Sequence, residues 1–321
     1  MKKFAAICLI FLPVALFFSS CNPFGINNDN DIRFEPNTER VGVYWWAYWL
    51  ISDFTYLDFA ASNGITEIYL SVPNLRYARP DGTFSLNAMN NIVNPTREFI
   101  SRASEKGINV YLLLGNNGSW IRNRYEFHRR MNGLRVYQEL AEPHERFAGV
   151  QLNVEPHQLE NPAGVRYWGI GSPHYPHRQT LVQELADFAT MAHQTYYWVN
   201  ICWTLTFWWD NRHMVNGGSI SLGEHLISLS SNTVYVMGFR NTAANMVSVS
   251  RYMIETAQRM GRDIVLLATV FEGTPIAEFV GMGREHMYEQ LNLVRGIAGC
   301  SSVHVAIHHI VTWRHWERRD R

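Results

Sequence analysis

The stretch FAGVQLNVEPH, residues 147–157, interleaves polar side chains with apolar ones: Gln151, Asn153 and Glu155 alternate with Val150, Leu152 and Val154. Successive side chains on a strand point to opposite faces, so the three polar groups share one face. A carboxylate on a buried strand is costly unless something pairs with it or uses it. A second carboxylate, Glu272 in TVFEGTP, closes another apolar run in the same manner. Two carboxylates facing one cleft suit glycoside hydrolysis, where one protonates the leaving oxygen and the other attacks or activates water. To donate a proton near neutral pH, Glu155 needs a pKa above the ~4.3 of a free Glu. Burial in an apolar strand would supply that rise. The residues equally allow either carboxylate to be an ion-pair partner of an arginine on a neighbouring loop.

Strands and helices in alternation must carry these groups. Apolar runs at 41–46, 65–73, 108–115, 148–155, 198–205, 233–239, 263–271 and 302–309 read as eight strands. Between them the pattern predicts helices over 52–63, from Asn94-Pro95 to Gly107, around 133–141, over 178–195, over 221–230, up to Gly261, and over 283–299. Several have readable ends: Ser52 or Asp53 as a cap, Pro95 at a first helical position, and glycine at 64, 107 and 261. Val-, Ile- and Leu-rich strands separated by helices indicate parallel strands covered on their outer side. Eight such units in one domain give a (β/α)8 barrel with its eighth helix short or missing. An open doubly wound sheet is the alternative, but it wants a glycine-rich phosphate turn after the first strand, where this chain has Trp45, Trp46 and Trp49.

Barrels of this kind place chemistry at the C-terminal ends of their strands, where Glu155 and Glu272 are expected, with Asn153 beside Glu155. The expected substrate contacts are Trp45, Trp46, Trp120 and Trp313 as stacking surfaces, with Gln151, Arg240 and His308 as polar partners. Tryptophan offers a flat face with a polar handle. His304, His308 and His309 crowd the eighth strand, but no His-x-His stands on the first, so neither a metal nor a cofactor is expected. No Gly-x-Ser-x-Gly elbow or phosphate loop occurs.

The fourth-strand segment GVQLNVEP resembles that of the family 18 glycoside hydrolases, the chitinase-like barrels, whose pattern is Asp-Gly-x-Asp-x-Asp-x-Glu. Gly149 and Glu155 match it, while Ala148, Gln151 and Asn153 replace the three aspartates. VMGF resembles the family's sixth-strand Met-x-Tyr, keeping Met237 and putting Phe239 in place of Tyr. DIVLLATVFEG resembles its seventh-strand segment, and Trp313 falls where those barrels often carry a Trp after strand eight. The strings VEPH, VMGFRNTA, FEGT and AIHHIVTW are more similar still to a group of secreted bacterial barrels of uncharacterised function. The likeness covers most of residues 41–316. It implies a glycosidase barrel with Glu155 as acid/base. It also implies that the substrate-assisted route is impaired, because the family steers the substrate's N-acetyl group with the Asp and Tyr replaced here by Asn153 and Phe239. Glu272 would then act as the second carboxylate, as in the two-glutamate barrels that place theirs on strands four and seven. The readings left open are a glycoside hydrolase, an inactive carbohydrate-binding protein and a surface protein using the barrel as scaffold.

The remaining features concern location. Met1-Lys2-Lys3 precedes an apolar run from Phe4 to Phe18, too short for a stable membrane span. Phe18-Ser19-Ser20-Cys21 resembles the lipobox of bacterial lipoproteins. The expected organisation is therefore a signal peptide over 1–20, a polar tether over 21–40 starting at lipidated Cys21, and the barrel over 41–321, on the membrane only through its lipid. Without Lys2 and Lys3, 26 basic residues face 28 acidic ones, a balance that gives nucleic acid nothing to bind. With Cys8 in the leader and Cys21 lipidated, Cys202 and Cys300 are too few for a disulfide framework. Mass spectrometry of the mature N-terminus is expected to find an acylated Cys21; an intact Met1 or an unmodified Cys21 would overturn the assignment.

Overall fold

A run of residues such as VGVYW can bury both faces only if each meets a different partner. In the computed structural model, which describes residues 39–73, 75–115, 118–168, 177–210, 212–271 and 277–319, eight strands solve this by closing on themselves. They are β1 (Val41–Trp45), β2 (Glu67–Leu70), β3 (Asn109–Gly115), β4 (Gly149–Asn153), β5 (Ile201–Thr206), β6 (Thr233–Met237), β7 (Asp263–Thr269) and β8 (Val303–His308). All pair in parallel and in chain order, and β8 pairs with β1 to complete the ring. A helix follows each strand: α1 (Thr55–Ser62), α2 (Asn94–Glu105), α3 (Arg124–Leu140), α4 (Arg178–Thr195), α5 (Leu222–Leu229), α6 (Ala243–Arg259), α7 (Arg284–Ala298) and α8 (Ile310–Arg319). The protein is a (β/α)8 barrel, and its eighth helix is present but only 10 residues long.

Local chemistry explains the ends. Asp53 is not the cap of α1: Phe54 takes that position without a side-chain cap, and Asp53 Oδ1 instead accepts from the Thr55 backbone N–H at 3.2 Å in the turn that leads into the helix. Pro95 sits in the first turn of α2, and Gly107 turns the chain back with φ +72°. Ser221 Oγ accepts from Glu224 N at 3.0 Å and caps α5. The largest departure from expectation is α3, which starts at Arg124 rather than near 133. Its first turns are polar and it contains Gly133, which ordinarily weakens a helix. Here glycine is required: a Cβ on it would lie 2.0 Å from the Leu75 carbonyl oxygen. The turn Leu75–Tyr77 therefore lies directly against α3.

Alternation then sorts the core in two. Outward residues such as Val43, Trp45, Leu112, Leu152 and Trp203 join the helices in one large cluster. Inward residues form a smaller cluster of unusual content, with Tyr44, Tyr69 and Tyr235 at its centre. The Tyr69 ring lies 4.9 Å from each of the other two. Burial pushes all three phenols up, Tyr69 and Tyr235 well above the ordinary value. At the N-terminal floor, Arg40 donates through Nε and Nη2 to Glu67 Oε1 at 2.9 and 2.7 Å, and through Nη1 to Asp263 Oδ2 at 2.7 Å and Thr233 Oγ1 at 2.8 Å. The Tyr69 hydroxyl donates to the other Glu67 oxygen at 2.7 Å. One guanidinium thereby ties the start of β1 to β2, β6 and β7.

Two half-buried imidazoles accept from indoles: His193 Nε2 from Trp203 Nε1 at 3.0 Å, and His308 Nε2 from Trp46 Nε1 at 2.8 Å. Burial holds both, and His309, down at about 4, from an ordinary 6.5. The folded chain thus binds fewer protons than the unfolded chain between these limits, so stability is complete above pH ~6.5 and is lost as pH falls toward ~4. Urea midpoints are expected to drop between pH 7 and pH 4.5, with a shallower drop in His193→Gln, which keeps an acceptor but does not titrate. An unchanged slope in that variant would show that His193 is not part of the effect.

Candidate active site

The mouth of the barrel collects what alternation sends inward at, or just beyond, the strand ends. Gly115 is in register with Asn153, Thr206 with Met237, and Thr269 with His308. Trp46 follows directly beyond β1, and Glu155 lies two residues beyond β4. Trp46 stacks on Tyr44 with ring centroids 6.3 Å apart, and His308 meets Tyr44 edge-on at 5.1 Å. Phe239 and Phe271 flank His308 at 6.1 and 5.1 Å. The floor of the mouth is therefore aromatic, with Trp46, Phe239 and His308 half-buried and Phe271 exposed.

Glu155 lies past the ladder of β4, which ends at Asn153. Pro156 opens a single turn, Pro156–Gln158, with Glu155 at its cap position. Proline suits the first position of such a turn because its φ is already set and it has no N–H to satisfy. The turn folds the next two side chains back onto the carboxylate. His157 Nε2 lies 3.2 Å from Oε2, and Gln158 Nε2 donates to the same oxygen. Asn153 Nδ2 donates to Oε1 at 2.9 Å. Gly118 permits the neighbouring loop to close over this segment, since a Cβ there would sit 2.7 Å from the Glu155 carbonyl oxygen.

These contacts decide the charge. Burial, with only 7% of Glu155 exposed, pushes its carboxyl up. The His157 hydrogen bond and charge, then Asn153 and Gln158, pull it down and prevail, leaving it below the ordinary 4.5. The expected upward shift is thus reversed, because a carboxylate that accepts several hydrogen bonds is stabilised as the anion. His308 is the opposite case: burial and then His309 lower it to about 4, with the Glu155 charge opposing. Near neutral pH the mouth therefore holds an ionised Glu155 beside a neutral His308. The Asn153 Oδ1 and Thr206 Oγ1 atoms are buried there with no hydrogen-bond partner among the described residues.

Only part of the expected substrate set stands at this mouth. Trp46 and His308 do. Trp45, 0% exposed, faces outward one position from Trp46 and packs on Phe99 at 4.8 Å, with its indole N–H donated to Ala47 O. Trp120, 2% exposed, sits against Phe127 at 5.6 Å. Trp313, 0% exposed, lies on α8 against Phe59 and donates to the Tyr288 hydroxyl at 3.0 Å. All three are core packing rather than rim. Gln151 is also inaccessible: it lies a layer below Asn153, donating to the Tyr44 hydroxyl and to Thr204 Oγ1 at 3.1 Å. Arg240 directs Nη1 to the Phe239 carbonyl at 2.6 Å and lies 4.9 Å from the Phe207 ring centroid. The histidines of β8 divide: His304 is at the floor, 3.9 Å from Asp263, four residues below His308. Among the described residues no three His, Cys, Asp or Glu side chains converge as a metal set would. Glu272 and Cys21 lie outside the described residues.

Sequence reading passed over His157 and Gln158, although Glu-Pro-His-Gln carries a signal in its proline. It also passed over a second aromatic wall. Trp208 lies 5.0 Å from His157 and 5.5 Å from Trp168, and Trp168 stacks on His213 at 5.3 Å. Trp208, half-buried beside His157, gives the β4 and β5 loops an aromatic surface of their own.

No protein-family model matches the sequence, and no curated protein does. Among solved structures, a fungal beta-1,4-galactanase is 12% identical with a TM-score of 0.48, covering 84% of this chain and 89% of that one. A GH18 chitinase from Pseudoalteromonas aurantia is 11% identical with a TM-score of 0.46, covering 85% and 94%. A D-psicose 3-epimerase from Clostridium cellulolyticum H10 is 12% identical with a TM-score of 0.43, covering 87% and 91%. Likenesses this distant, spread over hydrolases and an isomerase, assign this chain no reaction.

Proposed function

We propose that the chain is a glycoside hydrolase acting on an extracytoplasmic glycan, with Glu155 as its acid/base. The supporting observation is a buried carboxylate at the barrel mouth, bonded by Asn153 and Gln158, 3.2 Å from His157 Nε2 and bordered by aromatic rings. As the anion, Glu155 takes a proton from an attacking water. To serve as the acid it must first gain one, and the His157 contact is short enough for a proton to pass between the two groups. A sugar ring covering the mouth excludes water and strengthens the upward push of burial on the carboxyl. Asn153 positions Glu155, and Glu272 is the second carboxylate of the pair. Trp46 and Trp208 supply faces on which a sugar stacks. Residues 21–40 tether the barrel to the envelope through the lipid on Cys21, which places the site outside the cytoplasm.

A binding-only barrel is the competing reading, and the low pKa of Glu155 favours it, because an anion that keeps its charge serves as an acceptor for sugar hydroxyls. A panel of glycans assayed with wild type and Glu155→Gln separates the two. Hydrolysis by the wild type is expected to fall about 10²–10⁴-fold in the variant, with binding largely kept. Full activity in the variant removes Glu155 from the mechanism. Binding without turnover in the wild type, weakened in the variant, makes it a ligand contact.

The pH profile supplies an independent check, since kcat/KM reports groups of the free enzyme. Because Glu155 must carry a proton to act as the acid of the first step, the alkaline limb is expected where the lowered Glu155 carboxyl gives its proton up. His157→Asn removes the first of the groups that hold it down and is expected to shift the limb to higher pH. A limb that stays put would show that the group titrating in catalysis is not Glu155.

A further inference from the structure

One charge cluster near the mouth is unbalanced. Glu126, in the first turn of α3, is approached by Arg76 Nη1 at 2.7 Å, Arg130 Nε at 3.2 Å and Arg129 Nη1 at 3.6 Å. Three guanidiniums against one carboxylate leave a net charge of +2. Among the described residues, Glu126 is the only carboxylate in ion-pair contact with them. The Nε atoms of Arg76 and Arg130 are buried without a hydrogen-bond partner, the 3.2 Å approach of Arg130 being poorly aligned for one. Arg129 and Arg130 also donate to the Arg76 and Pro73 carbonyls at 3.4 and 3.3 Å, contacts that fix the side chains without neutralising them.

Place and surroundings point to a ligand. Arg76 lies in the short turn after β2, and Arg129 and Arg130 lie in the second turn of α3 after β3, so all three follow strand ends on the C-terminal side of the barrel. Their side chains remain accessible, 33%, 39% and 18% exposed for Arg76, Arg129 and Arg130. Each lies over an aromatic ring: Arg76 over Tyr77, Arg129 over Tyr125 and Arg130 over Trp120, at 5.3, 5.8 and 5.6 Å. Tyr77 and Tyr125 are themselves exposed. The cluster is also continuous with the candidate site. Trp120, beneath Arg130, belongs to the turn Gly118–Ile121, whose first residue closes over the Glu155 backbone.

We propose that Arg76, Arg129 and Arg130 form an anionic subsite that binds a sugar carboxylate, so that the glycan taken at the mouth is a uronic-acid polymer. This rests on the mouth being a sugar site. Guanidinium pairs carboxylates through paired N–H donors, and the exposed tyrosines supply the ring faces a pyranose needs. An arriving carboxylate offsets a charge excess that the fold leaves standing, while the Arg76 and Pro73 carbonyls help hold Arg129 and Arg130 in place without Glu126.

The test is calorimetric titration of the full chain with short uronate oligosaccharides, each beside its methyl-esterified neutral counterpart, at low salt. The charged member is expected to bind about tenfold tighter, with the preference fading as salt is raised to about 0.5 M. Arg76→Gln with Arg129→Gln leaves one guanidinium against Glu126 and is expected to erase the preference while sparing the neutral sugar. Glu126→Gln, which raises the net charge, is expected to enlarge it, and this gain cannot be mistaken for misfolding. Equal affinity for charged and neutral sugars in the wild type overturns the subsite and leaves the sugar site standing. Retention of the preference in the double variant also overturns the subsite. Failure of every member to bind overturns the uronate assignment, and the glycan panel then decides the sugar site by itself.

Discussion

A strand in a closed barrel has no spare face. One side meets the helices, the other meets seven strands across a narrow interior, and a shift of one residue exchanges them. Every functional placement in this protein follows from that constraint. It sends Asn153 inward and carries Glu155 to the mouth above it, while Trp45 goes into the helix layer and Trp46 onto the floor of the site. The interior must therefore accept polar groups, and it pairs several of them. Arg40 neutralises Glu67 at the base, and Gln151 bonds Tyr44 and Thr204 in the middle.

This layering gives the site its floor. Tyr44 lies beneath Trp46 and His308, and Tyr69 and Tyr235 fill the space further down. The space below the mouth is therefore filled by side chains, and a ligand bound at the mouth would lie across it. Tyrosine in this position does two jobs: its ring packs the interior, and its hydroxyl can answer a buried polar neighbour, as Tyr44 does for Gln151.

The eightfold alternation was legible in the sequence because each apolar run is bounded by its own punctuation. The helix Arg178–Thr195 has the bounds its periodicity implies, and Asn94-Pro95 marks the start of α2. The early part of α3 was hidden because its polar first turns and Gly133 argue locally against a helix. The reason for that glycine is a carbonyl of Leu75, 58 positions away. In the site, residue type was a poorer guide than parity. Trp45 and Trp46 are alike in composition and opposite in position. Gln151 and Asn153 share a face, but one layer of depth separates a structural amide from one at the mouth. The lowered pKa of Glu155 was not readable from its apolar neighbours, since it comes from the turn after Pro156 that brings His157 and Gln158 back onto it.

That turn has a wider consequence. The anionic group and nearly all that sets its charge lie within six consecutive residues, Asn153 to Gln158. The surfaces that would touch a ligand are dispersed over the loops of other strands. Selection can therefore reshape those loops, and with them the choice of ligand, without retuning the carboxylate. A one-residue insertion after Pro156 would do the reverse, leaving the rim intact and disconnecting Glu155 from the groups that govern its proton.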